Sequence, residues 1–306
     1  MAKYLDPKAD LTFKKVFGEH PNLVASLLNS LLPLPAGEEI ADVEYLSPER
    51  VPRTSIGKNS IVDVFCKTRD GRAFIVEMQM CWTADFKDRA LFNSAKVYVD
   101  QLERAEDFSR LRPVYSLNLV DAVFERDVPE FMHHYKVVHE KYTDKVIEGF
   151  HIVFVELPKF KPQNIAERRM AVLWLRFLTE IGKDTDRVPE ELLASREISQ
   201  AVKLVEESAY TREQLMGYDL FWDAVRVART LAAAPERSYK AGLKAGREAG
   251  LKEGETKGRE AGLKEGEAKG LKAGKVETAR NLKSMGLSAE QIAAATGLAA
   301  AEIDAL

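Results

Sequence analysis

The feature that most constrains the fold is a pair of apolar segments joined by a tight turn, SIVDVFCKTRDGRAFIVEMQM at residues 60–80. Both segments have the length and the β-branched content of buried strands, which predicts a β-hairpin. Asp70-Gly71 suits a two-residue turn, whereas Arg69-Asp70-Gly71 suits a three-residue loop with Gly71 in the left-handed conformation. We choose the three-residue loop because it gathers the polar residues of both strands on one face.

The strand register follows from that choice, because a slip of one residue would turn every side chain to the other face. Three pairs of residues are predicted to lie opposite each other: Asp63 and Glu77, Phe65 and Ile75, and Ile61 and Gln79. The other face is then wholly apolar, formed by Val62, Val64, Cys66, Phe74, Val76 and Met78. The hairpin therefore predicts two carboxylates and an amide side by side.

Two carboxylates opposite each other in a sheet repel, since their Cβ atoms are about 4.5–5.5 Å apart. A divalent cation removes this conflict, because Mg²⁺ takes oxygen ligands and is often held by one or two carboxylates with waters and phosphate. Such a cation can activate water and neutralise charge on a phosphodiester. Asp63 and Glu77 are therefore candidate metal ligands, and Gln79 is a candidate for orienting water or phosphate. The alternative is a solvated face on which Lys67 or Arg89 bridges two ordinary carboxylates.

Further segments predict a mixed α/β or α+β domain around the hairpin. Strand signals occur at 39–46, 113–124, 134–141 and 151–158. Helical signals occur in two short segments within residues 6–32, over 83–105, and from about 163 to 234, where Trp174 belongs to an apolar cluster.

Composition excludes several kinds of protein. A net charge of −3 gives no general attraction to nucleic acid, so DNA contact would need a local basic patch. Two cysteines, Cys66 and Cys81, argue against a disulfide framework or a cysteine zinc site. The start lacks the pattern of a leader peptide, and no apolar run approaches the roughly 18 residues of a membrane span. We therefore expect a cytoplasmic protein with no membrane partner.

The tail has a glycine at every fourth position: 242, 246, 250, 254, 258, 262, 266, 270 and 274. The residues between them favour helix, although each glycine costs about 0.8–1 kcal/mol relative to alanine. The spacing is compatible with a semi-flexible helical linker or with close-packed self-association, as small residues four apart allow. A third interpretation is contact with a phosphate backbone, because residues 240–275 carry ten Lys or Arg against six Glu.

The last residues, 276–306, have the rhythm of a helix-turn-helix. Ser288 and Gln291 resemble a capping box, and Gly297 lies at the expected turn. The helix that would enter a DNA groove carries Glu302 and Asp304 and no basic residue. We therefore predict a small cap or docking module rather than a reader of DNA sequence.

Taken in order, DLTFKKVFG, VDVFCKTRDGRAFIVEMQM and FKDRALFNSAKVYVDQLERAEDFSRLRPVYSLNLVD resemble the PD-(D/E)XK nuclease family transposases, also called the Rpn family of recombination-promoting nucleases. The resemblance spans roughly residues 4–160, and the GxxxG-rich tail with its terminal helices is also similar. It implies a restriction-endonuclease-like core, a mixed sheet flanked by helices, and Mg²⁺-dependent DNA cleavage. It also implies roles in recombination, mobile elements or defence.

Carried over by position, the resemblance gives Asp63 as the Asp of the motif and Glu77 as its second acid, with both binding the metal. Gln79 stands where the general motif has lysine, although Glu-x-Gln is usual for this family. The group that stabilises the charged intermediate is left open between Gln79 itself, Arg89 and a lysine of the first helix, Lys14 or Lys15.

Asp10 has two interpretations of equal weight. It stands where such nucleases often carry an additional acid, and it also suits the N-cap of the helix LTFKKVF.

The sequence thus predicts an endonuclease that requires Mg²⁺ or another divalent cation, acts on DNA and self-associates through its helical tail. Its predicted segments are a nuclease-like domain over 1–160, a helical segment over 161–236, the glycine-spaced tail over 237–275 and the terminal module over 276–306. The competing interpretation is a nuclease fold of weak or no activity that serves as a DNA-binding or interaction protein. The Gln79 substitution is its best support.

Overall fold

A computed structural model describes residues 3–50, 60–103, 105–162 and 169–306 of the chain. The chain divides into two compact units, Met1–Ala233 and Ala234–Leu306. None of the helices in these ranges combines the length and the apolar character that crossing a membrane requires.

The first unit is built on a six-stranded sheet, and the sheet is mixed, as the family resemblance implies. The strands are β1 (Glu44–Tyr45), β2 (Glu49–Arg50), β3 (Ser60–Ile61), β4 (Val64–Lys67), β5 (Ala73–Gln79), β6 (Val114–Val120), β7 (Met132–Val138) and β8 (Val146–Glu156). Their order in the sheet is β1-β4-β5-β6-β8-β7, and β5–β6 and β6–β8 are parallel while the other neighbours are antiparallel. Strands β2 and β3 form a separate antiparallel ribbon.

The hairpin has the predicted register and the predicted turn. Phe65 pairs with Ile75, and Gly71 adopts the left-handed conformation with φ of 88°. The Thr68 N–H donates to the Arg72 carbonyl over 3.0 Å, which closes a three-residue loop. The turn chemistry of the sequence therefore determined how β4 and β5 align.

The prediction was wrong for the start of the first strand. The 60–67 segment is broken: β3 ends at Ile61 and β4 begins only at Val64. Ile61 pairs with Glu49 of the ribbon rather than lying opposite Gln79. Val62 packs in the same cluster as Phe65, on the face opposite to the one predicted. The break arises because the chain leaves β5 at this point to pair with β2.

The helices lie on both faces of the sheet, again as expected for a mixed α/β domain. Pro21 occupies the first turn of the second helix, where its missing N–H costs nothing. The helices are α1 (Asp10–Phe13), continued by a π-helical turn over Lys14–Gly18, α2 (Pro21–Leu31), α3 (Phe86–Val99), α4 (Arg169–Glu180), α5 (Glu190–Leu193), α6 (Arg196–Leu204), α7 (Arg212–Ser284), α8 (Ala289–Thr296) and α9 (Ala300–Asp304).

Each face of the sheet is covered by a separate hydrophobic core. The larger core joins one face of β4 and β5 to the N-terminal helices and α4, with the fully buried Trp174 packed 5.2 Å from Phe17 between ring centroids. On the other face, Ile75 packs with Val97 of α3. Because alternate residues of a strand share a face, Glu77 and Gln79 point to the α3 side with Ile75.

The second unit begins at Ala234 and contains the rest of α7 with α8 and α9. The capping box of Ser288 and Gln291 is present, and Gly297 ends α8 with φ of 70°, as predicted. Ile292 and Ile303, each 1% exposed, pack against Ala279 of α7. The terminal residues therefore form a small helical core of their own.

Candidate active site

The two predicted acids meet at the broken end of β4. Asp63 lies one residue before the last pair of the β4–β5 ladder, Val64 with Val76, and so stands level with Glu77. Its Oδ2 accepts a hydrogen bond of 2.8 Å from the backbone N–H of Met78. The carboxylate of Asp63 is thereby fixed against the strand that carries Glu77.

Glu77 is buried, with only 5% of its surface exposed. This excludes the interpretation that it is an ordinary carboxylate on a solvated sheet face. Lys67, which that interpretation offered as a bridge, pairs instead with Glu44 at 3.4 Å.

Burial and mutual repulsion perturb the two acids in the same direction. Burial raises the pKa of Glu77 to about 8, and the negative charge of Asp63 contributes to the rise. Burial likewise raises the pKa of Asp63, opposed by the Met78 N–H and by the charges of Lys14 and Arg89. The pair is therefore poorly suited to carry two negative charges unless additional positive charge is bound nearby.

Gln79 and Arg89 form a polar bridge at the open side of Glu77. Arg89 Nη2 donates to Gln79 Oε1 over 2.9 Å, and Gln79 Nε2 donates to Glu77 Oε2 over a longer 3.4 Å. The guanidinium of Arg89 also lies 4.8 Å from the ring centroid of Phe86. Arg89 itself is exposed. The side-chain amide of Gln79 is therefore oriented by the guanidinium of Arg89, a residue that is exposed to solvent.

Lys14 and Asp10 stand beside the acids. Lys14 Nζ lies 2.6 Å from Asp10 Oδ1. Burial works against the charge of Lys14, yet Asp10, Asp63 and Glu77 together raise its pKa. The negative charge of Asp10 in turn contributes to the raised pKa of Asp63. The N-cap interpretation of Asp10 was wrong, because Ala9 holds that position and Asp10 is the first residue of α1.

Lys15 does not share this environment. Its Nζ donates to the carbonyl of Ala209 over 3.0 Å and lies 4.1 Å from the centre of the Tyr210 ring. Of the two lysines that the sequence left open, Lys14 is the one whose charge acts on the acids.

Two asparagines at the site were missed in the sequence. Asn93, one turn after Arg89 in α3, is buried and donates to Glu77 Oε1 over 3.4 Å. Asn118 lies beside Glu77 in the β5–β6 register and is fully buried. Its Nδ2 donates to Val153 O over 3.2 Å, while its Oδ1 has no hydrogen-bond partner among the described residues. The sequence did contain one signal for Asn118, because it is a polar residue within the largely apolar strand segment VYSLNLV.

The donor set of the site fits a hard divalent cation. Asp63 and Glu77 supply carboxylate oxygens, which Mg²⁺ prefers, and a cation between them would offset the repulsion that raises both pKa values. Within the described ranges, no group of three or more His, Cys, Asp or Glu residues could hold a metal ion. A cation here would thus be held by two carboxylates, leaving its other positions to water and substrate.

The model of the family described as PD-(D/E)XK nuclease family transposase matches residues 7–223, which is more than two thirds of the chain. No curated protein and no solved structure matches the chain.

Proposed function

The chain belongs to the PD-(D/E)XK nuclease family transposases, and from this membership we propose that it is a metal-dependent endonuclease that hydrolyses phosphodiester bonds of DNA. The observation that carries the proposal is the buried Glu77 held beside Asp63, with the positive charges of Arg89 and Lys14 acting on the pair. A purely structural sheet would gain stability from apolar residues at these two positions.

Asp63 and Glu77 are the residues that would hold Mg²⁺ or another divalent cation. When bound, the cation supplies positive charge to the phosphodiester and lowers the pKa of a water molecule. Hydrogen bonds within the protein hold both carboxylates in place before a cation binds. The Met78 N–H orients Asp63, and the side chains of Asn93 and Gln79 orient Glu77. This preorganisation is what allows electrostatic stabilisation without rearrangement during the reaction.

In this proposal three residues share the role of the lysine of the general motif. Gln79 contributes an amide, which positions water or a phosphate oxygen but carries no charge. Arg89 and Lys14 contribute the positive charge, and Arg89 is exposed and thus accessible to a phosphate group. Arginine suits this role because its planar fork of donors matches phosphate oxygens.

The proposal extends to the substrate, the biological role and the self-association of the chain. DNA is the substrate that the family implies, and cytoplasmic DNA processing in recombination, mobile elements or defence fits that substrate. Self-association through the glycine-spaced tail would bring two sites together for two strand cuts. The division of the chain into four functional segments stays a prediction.

A second candidate function is a DNA-binding or interaction protein of weak activity. It is favoured by one observation: Gln79 Oε1 is already engaged by Arg89, so the amide has one fewer free group for catalysis.

Cleavage of supercoiled plasmid distinguishes the two functions. The purified chain is incubated with Mg²⁺, with EDTA, and as the variants Asp63→Ala and Asp127→Ala. Asp127 is an exposed acid that serves as the matched control. Nicking that requires the cation, is lost in Asp63→Ala and persists in Asp127→Ala supports the nuclease. DNA binding without cleavage in wild type and Asp63→Ala alike supports the binding protein.

A further inference from the structure

The part of α7 within the first unit is apolar on two opposite faces. One face packs into the unit, where Tyr218 is 2% and Val225 is 7% exposed. Four large apolar residues have exposures of 62, 68, 59 and 67%, and we call them the outer stripe: Met216, Leu220, Val227 and Leu231. At about 100° per residue they fall within roughly 60° of arc, on the side of the helix away from Tyr218 and Val225. Contiguous exposed apolar patches of this kind mark interaction sites.

The spacing of the outer stripe is symmetric along the chain. Its members are separated by four, seven and four residues. An antiparallel copy of the same helix would therefore place Met216 opposite Leu231 and Leu220 opposite Val227, and each contact would occur twice. This is the property of an isologous interface with twofold symmetry, in which one surface is complementary to itself.

The charges along one border of the outer stripe are self-complementary in the same arrangement. Asp219, Asp223 and Arg226 lie on that border, and all three are exposed. In the antiparallel pair, Arg226 stands at the level of Phe221 of the second copy, between its Asp219 and Asp223. Asp223 also stands one residue from the level of its own counterpart, and the two Arg226 side chains lie on either side of these carboxylates. In a parallel twofold pair, by contrast, this border of one copy faces the opposite border of the other, so the three charges do not meet. Within one chain Arg226 pairs with Asp223 and Lys183 pairs with Asp219, so the contacts between copies would extend existing ion pairs into a network.

We propose that the outer stripe binds a second copy of this chain, with the two α7 segments packed antiparallel about the level of residues 223 and 224. This surface is separate from the glycine-spaced tail and from the candidate active site. The inference is independent of the proposed nuclease activity, since its tests measure mass and crosslinking.

Cysteine crosslinking tests the pairing directly. In a Cys81→Ser background, the double variant Leu220→Cys/Val227→Cys forms a covalent dimer under mild oxidation, and an equal mixture of the two single variants does so as well. Each single variant alone does not, because residue 220 and its counterpart are offset by seven residues, about 10 Å along the axis. Disulfides need Cα atoms within about 7 Å. Crosslinking of Leu220→Cys alone, or absence of it in the double variant, overturns the proposal.

Sedimentation velocity of the full chain provides the second test. Leu220→Asp is expected to weaken self-association at least tenfold, whereas Phe108→Asp, at a residue of the first unit that is 81% exposed, leaves it unchanged. Leu251→Asp, at a tail residue that is 67% exposed, reports any separate association through the tail. Arg226→Asp is expected to weaken it as well, and adding Asp219→Arg and Asp223→Arg restores it. A monomeric wild type at micromolar concentration, or loss of association in Leu251→Asp with Leu220→Asp unaffected, overturns the proposal.

Discussion

Glu77→Gln is expected to stabilise the first unit in a pH-dependent way. Burial is the main cause that raises the pKa of Glu77 from its ordinary value of 4.5 to about 8 in the folded chain. Between these two values the unfolded chain loses the proton while the folded chain keeps it, so the free energy of unfolding falls as pH rises. The full shift corresponds to at most about 5 kcal/mol, and to about 3 kcal/mol by pH 7. Glutamine carries no titrating proton and escapes this loss.

The assay is urea denaturation at pH 5 and pH 8 without divalent cations. The three tryptophans are residues 82, 174 and 222, all before residue 233, so their fluorescence reports the first unit. We expect wild type and Glu77→Gln to differ little at pH 5 and by about 2–4 kcal/mol at pH 8, with the variant more stable. Mg²⁺ should stabilise wild type at pH 8 and leave the variant nearly unchanged, because the variant lacks one of the two carboxylates.

The control is Glu130→Gln, at an exposed carboxylate, which should not alter the pH dependence. An equal difference between wild type and Glu77→Gln at both pH values would mean that Glu77 is ionised throughout. That result would refute the argument from burial and repulsion.

Three further predictions concern Arg89 at the candidate active site, Trp174 in the larger core and Gly71 in the hairpin turn. Arg89→Ala should lower the rate of plasmid cleavage about 10- to 100-fold, because one group that stabilises negative charge is lost. Adding Gln79→Lys to Arg89→Ala should restore part of the cleavage rate. An unchanged cleavage rate in Arg89→Ala would contradict the role proposed for Arg89. Trp174→Ala should cost about 3–5 kcal/mol in urea denaturation, because this side chain is fully buried, and a cost below 1 kcal/mol would contradict the packing. Gly71→Ala should lower the free energy of unfolding by about 1–2 kcal/mol through its φ of 88°, whereas Gly182→Ala, at a glycine with open space around it, should cost less.

The hairpin was predictable because its information is local. The loop Arg69-Asp70-Gly71 sets the register through the positive φ of Gly71, and the register then determines which side chains share a face with Glu77. The helix with Pro21 at its start was likewise predictable from a short-range pattern, whereas the mixed sheet was expected from the family resemblance.

What was missed depends on contacts between distant segments. The strand break before Val64 exists because Ile61 pairs with Glu49, and the pattern of alternating residues around Asp63 gives no sign of it. The predicted strand over 39–46 is reduced to Glu44–Tyr45, because only this part meets β4. Asn93 becomes a partner of Glu77 only when α3 packs on the sheet. In each case the deciding contact joins residues that no local periodicity relates.

The location of positive charge around Glu77 bears on whether the Gln79 substitution abolishes activity. A lysine on β5 would place its charge two residues from Glu77 on the same strand. Here α3 supplies Arg89 at 2.9 Å from the Gln79 amide, and the helix turn that carries Arg89 also carries Asn93 over Glu77. Because α3 packs on the sheet through Val97 and Ala90, both side chains are held by the core rather than by a loop. With glutamine at residue 79, the positive charge comes from the helix rather than from the strand, and it is near enough to lower the pKa of both Asp63 and Glu77.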